Sequence, residues 1–298
     1  MMRSWILGSV VTVCVLIGSP TRAGEADFPA LDGPYFGQQV PGLEAQPFAP
    51  GLISLRGRYE FALSFSPAGD ELLFTQQVPD EAVSVFHSRI EGNAWTEPVE
   101  VRLSGGAKKD EMEAFFTPDG KRIFFAPYDE GMDVRIWSVE VGPDGWGNPR
   151  ELPSPVADDP AFYPTMSNKG ILYYTNLAAR KIYHAEIDGQ SVGSVEDAGL
   201  EFGGHAFIAP DESFVLVDAR QEDSLGDSDI YVAFRESDGS WGRPLNLGAE
   251  VNSEFSETCP SLSSDGKYLF FSRYNEPDEV SDIYWIDSMV IDVRRDAE

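Results

Sequence analysis

Glu60, Glu111 and Glu257 occupy one equivalent position in three copies of an internal motif, and Ala161 and Gly203 occupy it in two further copies. Carboxylates gathered at one place repel one another unless a cation, a basic side chain or a proton compensates. Two at a fixed separation are what glycoside cleavage needs. The opposing reading is architectural: a glutamate that accepts hydrogen bonds from the backbone of a neighbouring copy, duplicated because repeats copy structural residues by default. Arg220 and Arg273 follow matching strands in the fourth and fifth copies, where their forked guanidinium groups can pair with those glutamates or with an anionic ligand.

The three histidines divide by position. His87 and His184 sit at corresponding places on a third strand and read as packing or rim residues, whereas His205 lies on an innermost strand, able to reach a central channel but with no nucleophile beside it in sequence. Asp223, Asp227 and Asp229 invite a calcium reading, but their spacing departs from the EF-hand loop. Asp229 also matches Asp133 and Asp282, which favours a role at the start of a strand. No metal site, cofactor or catalytic residue is expected from these patterns.

The elements that position these residues come from a repeat. FALSFSPAGDELLFTQ (61–76), EAFFTPDGKRIFFAP (113–127), FYPTMSNKGILYYTN (162–176), HAFIAPDESFVLVDA (205–219) and CPSLSSDGKYLFFSR (259–273) each join two apolar strands through a tight turn. The turn anchors Pro67, Pro118, Asn168, Pro210 and Ser264 are spaced by 51, 50, 42 and 54 residues. Proline fixes φ at the first corner and glycine accepts the positive φ that ends the turn. A third strand follows at Val83–His87, Asp133–Ser138, Lys181–Ala185, Asp229–Phe234 and Asp282–Asp287. A fourth element opens on Trp95, Trp146 and Trp241, each followed by a proline, with a faded version at Val192–Val195. Alternating, β-branched and aromatic strands at this period predict an all-β chain, a β-propeller of four-stranded antiparallel blades.

Five blades are expected, or six if the two chain ends build a degenerate one. The last copy lacks its outer strand, and Gln46–Ser54 precedes the first copy as Glu97–Leu103 precedes the second, so an N-terminal strand is expected to complete the last blade and close the ring without an exposed sheet edge. The expected organisation is a signal peptide at 1–23, an N-terminal arm carrying the ring-closing strand at 24–59, and propeller repeats at 60–298. The second-to-third loops, 76–82, 127–132, 176–180, 220–228 and 273–281, would gather on one face, where such folds place their sites.

Arg3, the 13-residue apolar run Trp5–Ile17, the breaker Gly18-Ser19-Pro20 and a small-residue cleavage site at Ala23 read as an export signal too short to span a membrane. Its removal takes Cys14 away and leaves Cys259 alone, so no internal disulfide is expected. The 298-residue chain carries 22 basic and 50 acidic residues, a net charge of −28 that becomes −30 without the signal. Such a surface repels phosphate backbones and excludes nucleic acid as a partner. No membrane span is expected after cleavage, and the mature chain is expected to be a periplasmic or secreted monomer.

Motifs such as EAFFTPDGKRIFFAP and ETCPSLSSDGKYLFFSR, each followed by a strand like DIY, resemble the TolB-type, WD-repeat-like propeller repeats of exported bacterial proteins over about residues 60–287. The resemblance implies a propeller that binds proteins. The chain is expected to lack the TolB N-terminal domain, so a role in the Tol envelope system does not carry over. The function expected is an exported, non-catalytic binding module that holds a protein, peptide or saccharide on an acidic channel-side face through Glu60, Glu111, Glu257, Arg220, Arg273 and His205. The alternative is a carbohydrate-active enzyme, a hydrolase or lyase, using the channel-mouth carboxylates.

Overall fold

A computed structural model describes residues 31–295 except 56, 132, 144, 201–202 and 276–279; the expected signal segment, with Cys14, lies outside the described residues. Each repeat builds an antiparallel sheet. The first comprises Tyr59–Phe65, Glu71–Gln77, Ser84–Glu91 and Val99–Val101. The second comprises Asp110–Phe116, Arg122–Tyr128, Trp137–Gly142 and Gly145–Glu151. Ala161–Met166, Ile171–Asn176, Lys181–Asp188 and Glu196–Asp197 form the third. Ala206–Ile208, Phe214–Ala219, Asp229–Phe234 and Leu245–Asn246 form the fourth.

The last repeat supplies Ser256–Leu262, Tyr268–Asn275 and Val280–Asp287. Gln46–Pro47 of the N-terminal arm pairs with Val280–Asp287, through Gln46 with Trp285 and Pro47 with Tyr284. One expected strand is displaced. The third strand of the second repeat begins at Trp137 and not at Asp133, and the Val134 carbonyl ahead of it accepts the Ala161 amide of the next repeat.

The turns repeat faithfully, and the reason is visible at one residue position. Gly69, Gly120, Gly170 and Gly266 hold φ between 67° and 81° and each returns its amide to the carbonyl three residues back. The fourth repeat has Glu212 in that slot at φ 63°. A side chain there is strained, and Glu212 is held by Ser167 Oγ at 2.7 Å and Lys169 Nζ at 2.8 Å across the boundary with the third repeat.

Apolar side chains pack chiefly between neighbouring sheets. Leu73, Val85, Ile123 and Phe125 join the first to the second, and Phe124, Leu172 and Tyr174 join the second to the third. Tyr173, Ile182, Val215 and Val217 join the third to the fourth, and Leu216, Val232, Leu269 and Phe271 join the fourth to the last. Phe36, Phe48 and Ile53 of the arm fill the space between the first and last sheets, against Phe65, Phe74, Phe270 and Trp285. Met289–Arg295, which continues from the last strand, is a short helix that buries Val290 and Ile291. No described helix is long and apolar enough to cross a membrane.

Candidate functional site

The five turn anchors, Pro67, Pro118, Asn168, Pro210 and Ser264, all line one pocket of about 220 Å³, so the innermost strands run side by side toward a common axis. Five residues before each anchor stand Ala62, Glu113, Tyr163, His205 and Cys259. In four of the repeats this residue sits in a β-bulge, where pairing slips between 61 and 64, 112 and 115, 162 and 165, and 258 and 261. Ala62, Glu113, Tyr163 and Cys259 hold φ between 52° and 58° there. Left-handed backbone at a residue with a side chain is uncommon, and bulges re-aim the side chain they carry.

The re-aimed side chains meet. The His205 ring is 4.7 Å from the Tyr163 ring, and its Nε2 is 3.5 Å from Glu113 Oε1. Its Nδ1 is 2.5 Å from Asp218 Oδ2. Asp218, on the adjoining strand, also accepts the amides of Gly204 and His205, and the Cys259 amide at 3.2 Å. Glu113 Oε2 accepts the Tyr163 amide at 2.7 Å, and the Tyr163 hydroxyl donates to the Pro260 carbonyl at 2.8 Å. Burial opposes charge on His205, but the Asp218 carboxylate and Cys259 outweigh it and hold the imidazole well above its ordinary pKa. Burial pushes the Cys259 thiol up.

Above His205 opens a cavity of about 560 Å³, walled by Phe162, Asn176, Arg180, Arg220, Ser228 and Thr258 among others. These residues include parts of the second-to-third loops of the third and fourth repeats. Thr258 Oγ1 is buried and has no hydrogen-bond partner among the described residues. A buried hydroxyl left unpaired by protein calls for an explanation.

The glutamate column lies elsewhere. Glu60, Glu111 and Glu257 are all 0% exposed. Glu111 accepts the Leu103 and Ser104 amides at 2.7 and 3.0 Å and the Ser104 hydroxyl at 2.5 Å. Glu257 accepts the Ser253 amide and hydroxyl and pairs with Arg273 Nε at 2.7 Å. Glu60 accepts Gln76 Nε2 at 3.1 Å and the Leu55 amide at 3.5 Å. Each therefore fastens the loop that enters its own strand, and none converges with another on open space. Burial pushes Glu60 up to about 8, and it raises Glu257 against the opposing pull of Ser253 and Arg273.

Arg273 is anchored as well, donating to the Val251 carbonyl and lying 4.3 Å from the Tyr284 ring centre. Arg220 is exposed at the cavity, paired with Asp227 at 2.7 Å. Of the expected site residues, the structure brings only His205 and Arg220 to the cavity. His87 pairs with Glu71 at 2.8 Å, and His184 stacks on Tyr173.

The acidic loop does not assemble a calcium cage. Asp223 accepts the Tyr231 hydroxyl, Asp227 holds Arg220, and Asp229 accepts the Leu225 and Gly226 amides and Asn246. Sequence reasoning passed over Glu113, Tyr163 and Cys259. The signal that finds them is their common offset from the turn.

Comparison with known proteins places the fold. No family model and no curated protein matches the chain. Among solved structures, the chain is similar to a TolB-assigned protein from Agrobacterium tumefaciens at 17% identity and a TM-score of 0.51, covering 77% of each chain. It is also similar to TolB from Acinetobacter baumannii at 13% identity, with a TM-score of 0.48, 76% of this chain and 53% of that one. A gluconolactonase from Xanthomonas campestris aligns at 10% identity with a TM-score of 0.48, over 78% of this chain and 87% of the other. The first of these likenesses, joined to the stacked four-stranded sheets, supports a TolB-like β-propeller fold.

Proposed function

We propose that this chain is an exported, non-catalytic binding module, a five-bladed propeller completed by its own N-terminal strand, which takes a saccharide or peptide into the cavity above His205. The observation that carries this reading is the cavity wall. It combines an aromatic face, Phe162, with charged rim groups, Arg180 and Arg220, and the His205 ring. Apolar surface with a few well-placed polar groups is the usual make-up of a ligand site. The pairing of Gln46–Pro47 with the last sheet and the packing of Phe48 between first and last sheets support the five-bladed, self-completed ring. The apolar run and cleavage pattern at 1–23 support export.

Binding is favoured over carbohydrate cleavage because the carboxylates that an enzyme would need at the mouth, Glu60, Glu111 and Glu257, have no accessible surface. The test is a thermal-shift panel of oligosaccharides and short peptides on the purified protein, followed by chromatography of each hit after incubation. A ligand that raises the unfolding temperature and is recovered intact is the expected result. A ligand recovered cleaved would replace the binding reading with the enzymatic one.

A further inference from the structure

We propose that Glu113, His205 and Cys259 form a binding site for one divalent transition-metal ion of the zinc class, beside the cavity that His205 lines. The site does not depend on the cavity's taking an organic ligand. One donor atom from each of the three residues lies within 4.8 Å of the other two. A zinc ion with bonds of about 2.0–2.3 Å sets tetrahedral ligand atoms roughly 3.3–3.8 Å apart, so the donors need to close in by at most about 1.5 Å.

What distinguishes this group from a chance cluster is how each donor is held. His205 gives Nδ1 to Asp218 Oδ2 at 2.5 Å, which turns Nε2 toward Glu113 Oε1. A carboxylate behind the far nitrogen is the arrangement that orients a metal-binding imidazole and raises its basicity. Glu113 Oε2 accepts the Tyr163 amide, leaving Oε1 turned to the histidine. Cys259 is fixed through its own amide, which donates to the same Asp218 oxygen. Glu113 and Cys259 are both set in bulges with left-handed backbone, so their directions are built into the strands.

The charges also balance. On binding, the proton on the Cys259 sulfur and the proton on His205 Nε2 leave to solvent, and bonds form from thiolate, neutral imidazole and carboxylate to the ion. The donors then sum to −2 against an ion of +2. A sulfur, nitrogen and oxygen set favours zinc, and cobalt in its place, over calcium or magnesium, which take oxygen ligands. The His205 side chain is 20% exposed toward the cavity, while those of Glu113 and Asp218 are 3% exposed. Of the three donors His205 lines the cavity, so a water or a ligand oxygen that completes four-coordination would enter from its side.

Two other uses of the cluster are separable from this one. A protonated His205 could simply bridge the two carboxylates, or Cys259 could act as a nucleophile with His205 as its base. The second is disfavoured by burial, since Cys259 is 2% exposed.

The test is a titration of chelator-treated purified protein with Co²⁺, followed by displacement with Zn²⁺. The expected result is one equivalent bound, with a sulfur-to-cobalt charge-transfer band that Zn²⁺ abolishes. Cys259→Ser should lose the band and weaken Zn²⁺ at least about 100-fold, whereas Asp218→Asn should keep the band and weaken binding about 10–100-fold, as loss of an orienting partner does. Circular dichroism checks each variant. Should Cys259→Ser fail to fold, Glu113→Gln carries the same comparison, with Zn²⁺ weakened at least about 10-fold. Absence of the band at millimolar Co²⁺, or Zn²⁺ affinity unchanged in both Cys259→Ser and Glu113→Gln, would overturn the proposal.

Discussion

Asp218 Oδ2 lies 2.5 Å from His205 Nδ1 and accepts the Cys259 amide at 3.2 Å, so one buried carboxylate ties the innermost strands of the fourth and last repeats together at the axis. Its other oxygen accepts the amides of Gly204 and His205. Replacing Asp218 with Ala strands a histidine and the amides of His205 and Cys259, while the Gly204 amide keeps the backbone carbonyl of residue 218. Removing one partner of a buried pair costs about 3–5 kcal/mol. Urea unfolding of Asp218→Ala should show a loss in that range, and a loss below about 1 kcal/mol would mean the pair is peripheral.

Glu111 offers a second, independent case. Its carboxylate is 0% exposed and accepts three hydrogen bonds from Leu103 and Ser104. Each buried donor left without a partner costs about 1–3 kcal/mol. Glu111→Ala should destabilise the protein by about 3 kcal/mol or more in a urea melt, while the wild-type and variant proteins bind the cavity ligand alike when measured under conditions where both are folded.

Glu60 links stability to pH. Burial lifts its folded-state pKa from 4.5 to about 8. Below about pH 4.5 the group is neutral in folded and unfolded chains alike, and above about 8 it is charged in both. Between those values the folded chain keeps a proton that the unfolded chain releases, so Glu60 makes stability fall as pH rises through that window. Glu60→Gln should remove that part of the slope and gain at least about 1 kcal/mol relative to wild type at pH 8. The comparison is a pair of unfolding curves at pH 5 and pH 8.

Phe48 tests the contribution of the N-terminal arm. It is fully buried, 5.0 Å ring to ring from Phe270 and 5.2 Å from Trp285, between the first and last sheets. Phe48→Ala should cost about 3–5 kcal/mol. If the arm holds the two ends of the repeat array together, hydrogen exchange in the variant should speed most in Val280–Asp287, the strand with which Gln46–Pro47 pairs.

The architecture was legible because its signals are chemical. Pro67, Pro118 and Pro210 mark turn corners, Gly69, Gly120 and Gly266 mark turn ends, and the strands between them alternate. Gln46 and Pro47 could be matched to the chain entering the second repeat. The site was far less legible. Strand alternation gives no warning that the chain bulges at Ala62, Glu113, Tyr163 and Cys259, because none of the four is glycine and left-handed backbone leaves no mark on residue type. Glutamate recurring at 60, 111 and 257 drew attention by its identity, yet that recurrence reflects a shared task in loop fastening. The converging column carries a different residue in every repeat, as a site assembled once, from unlike parts, must.

The reading of this chain as a binding module with its site above His205 rests on a contrast between two positions. Leu177, 38% exposed, lines the cavity, and Leu177→Trp would narrow it without touching the core. The most direct measurement is calorimetric affinity for a ligand identified in the thermal-shift panel, in Leu177→Trp and in the Glu60→Gln, Glu111→Gln, Glu257→Gln triple variant. The account predicts at least about a tenfold loss in Leu177→Trp, near 1.4 kcal/mol, and an unchanged affinity in the folded triple variant. Affinity lost in the triple variant and kept in Leu177→Trp would contradict it and return the site to the glutamate column.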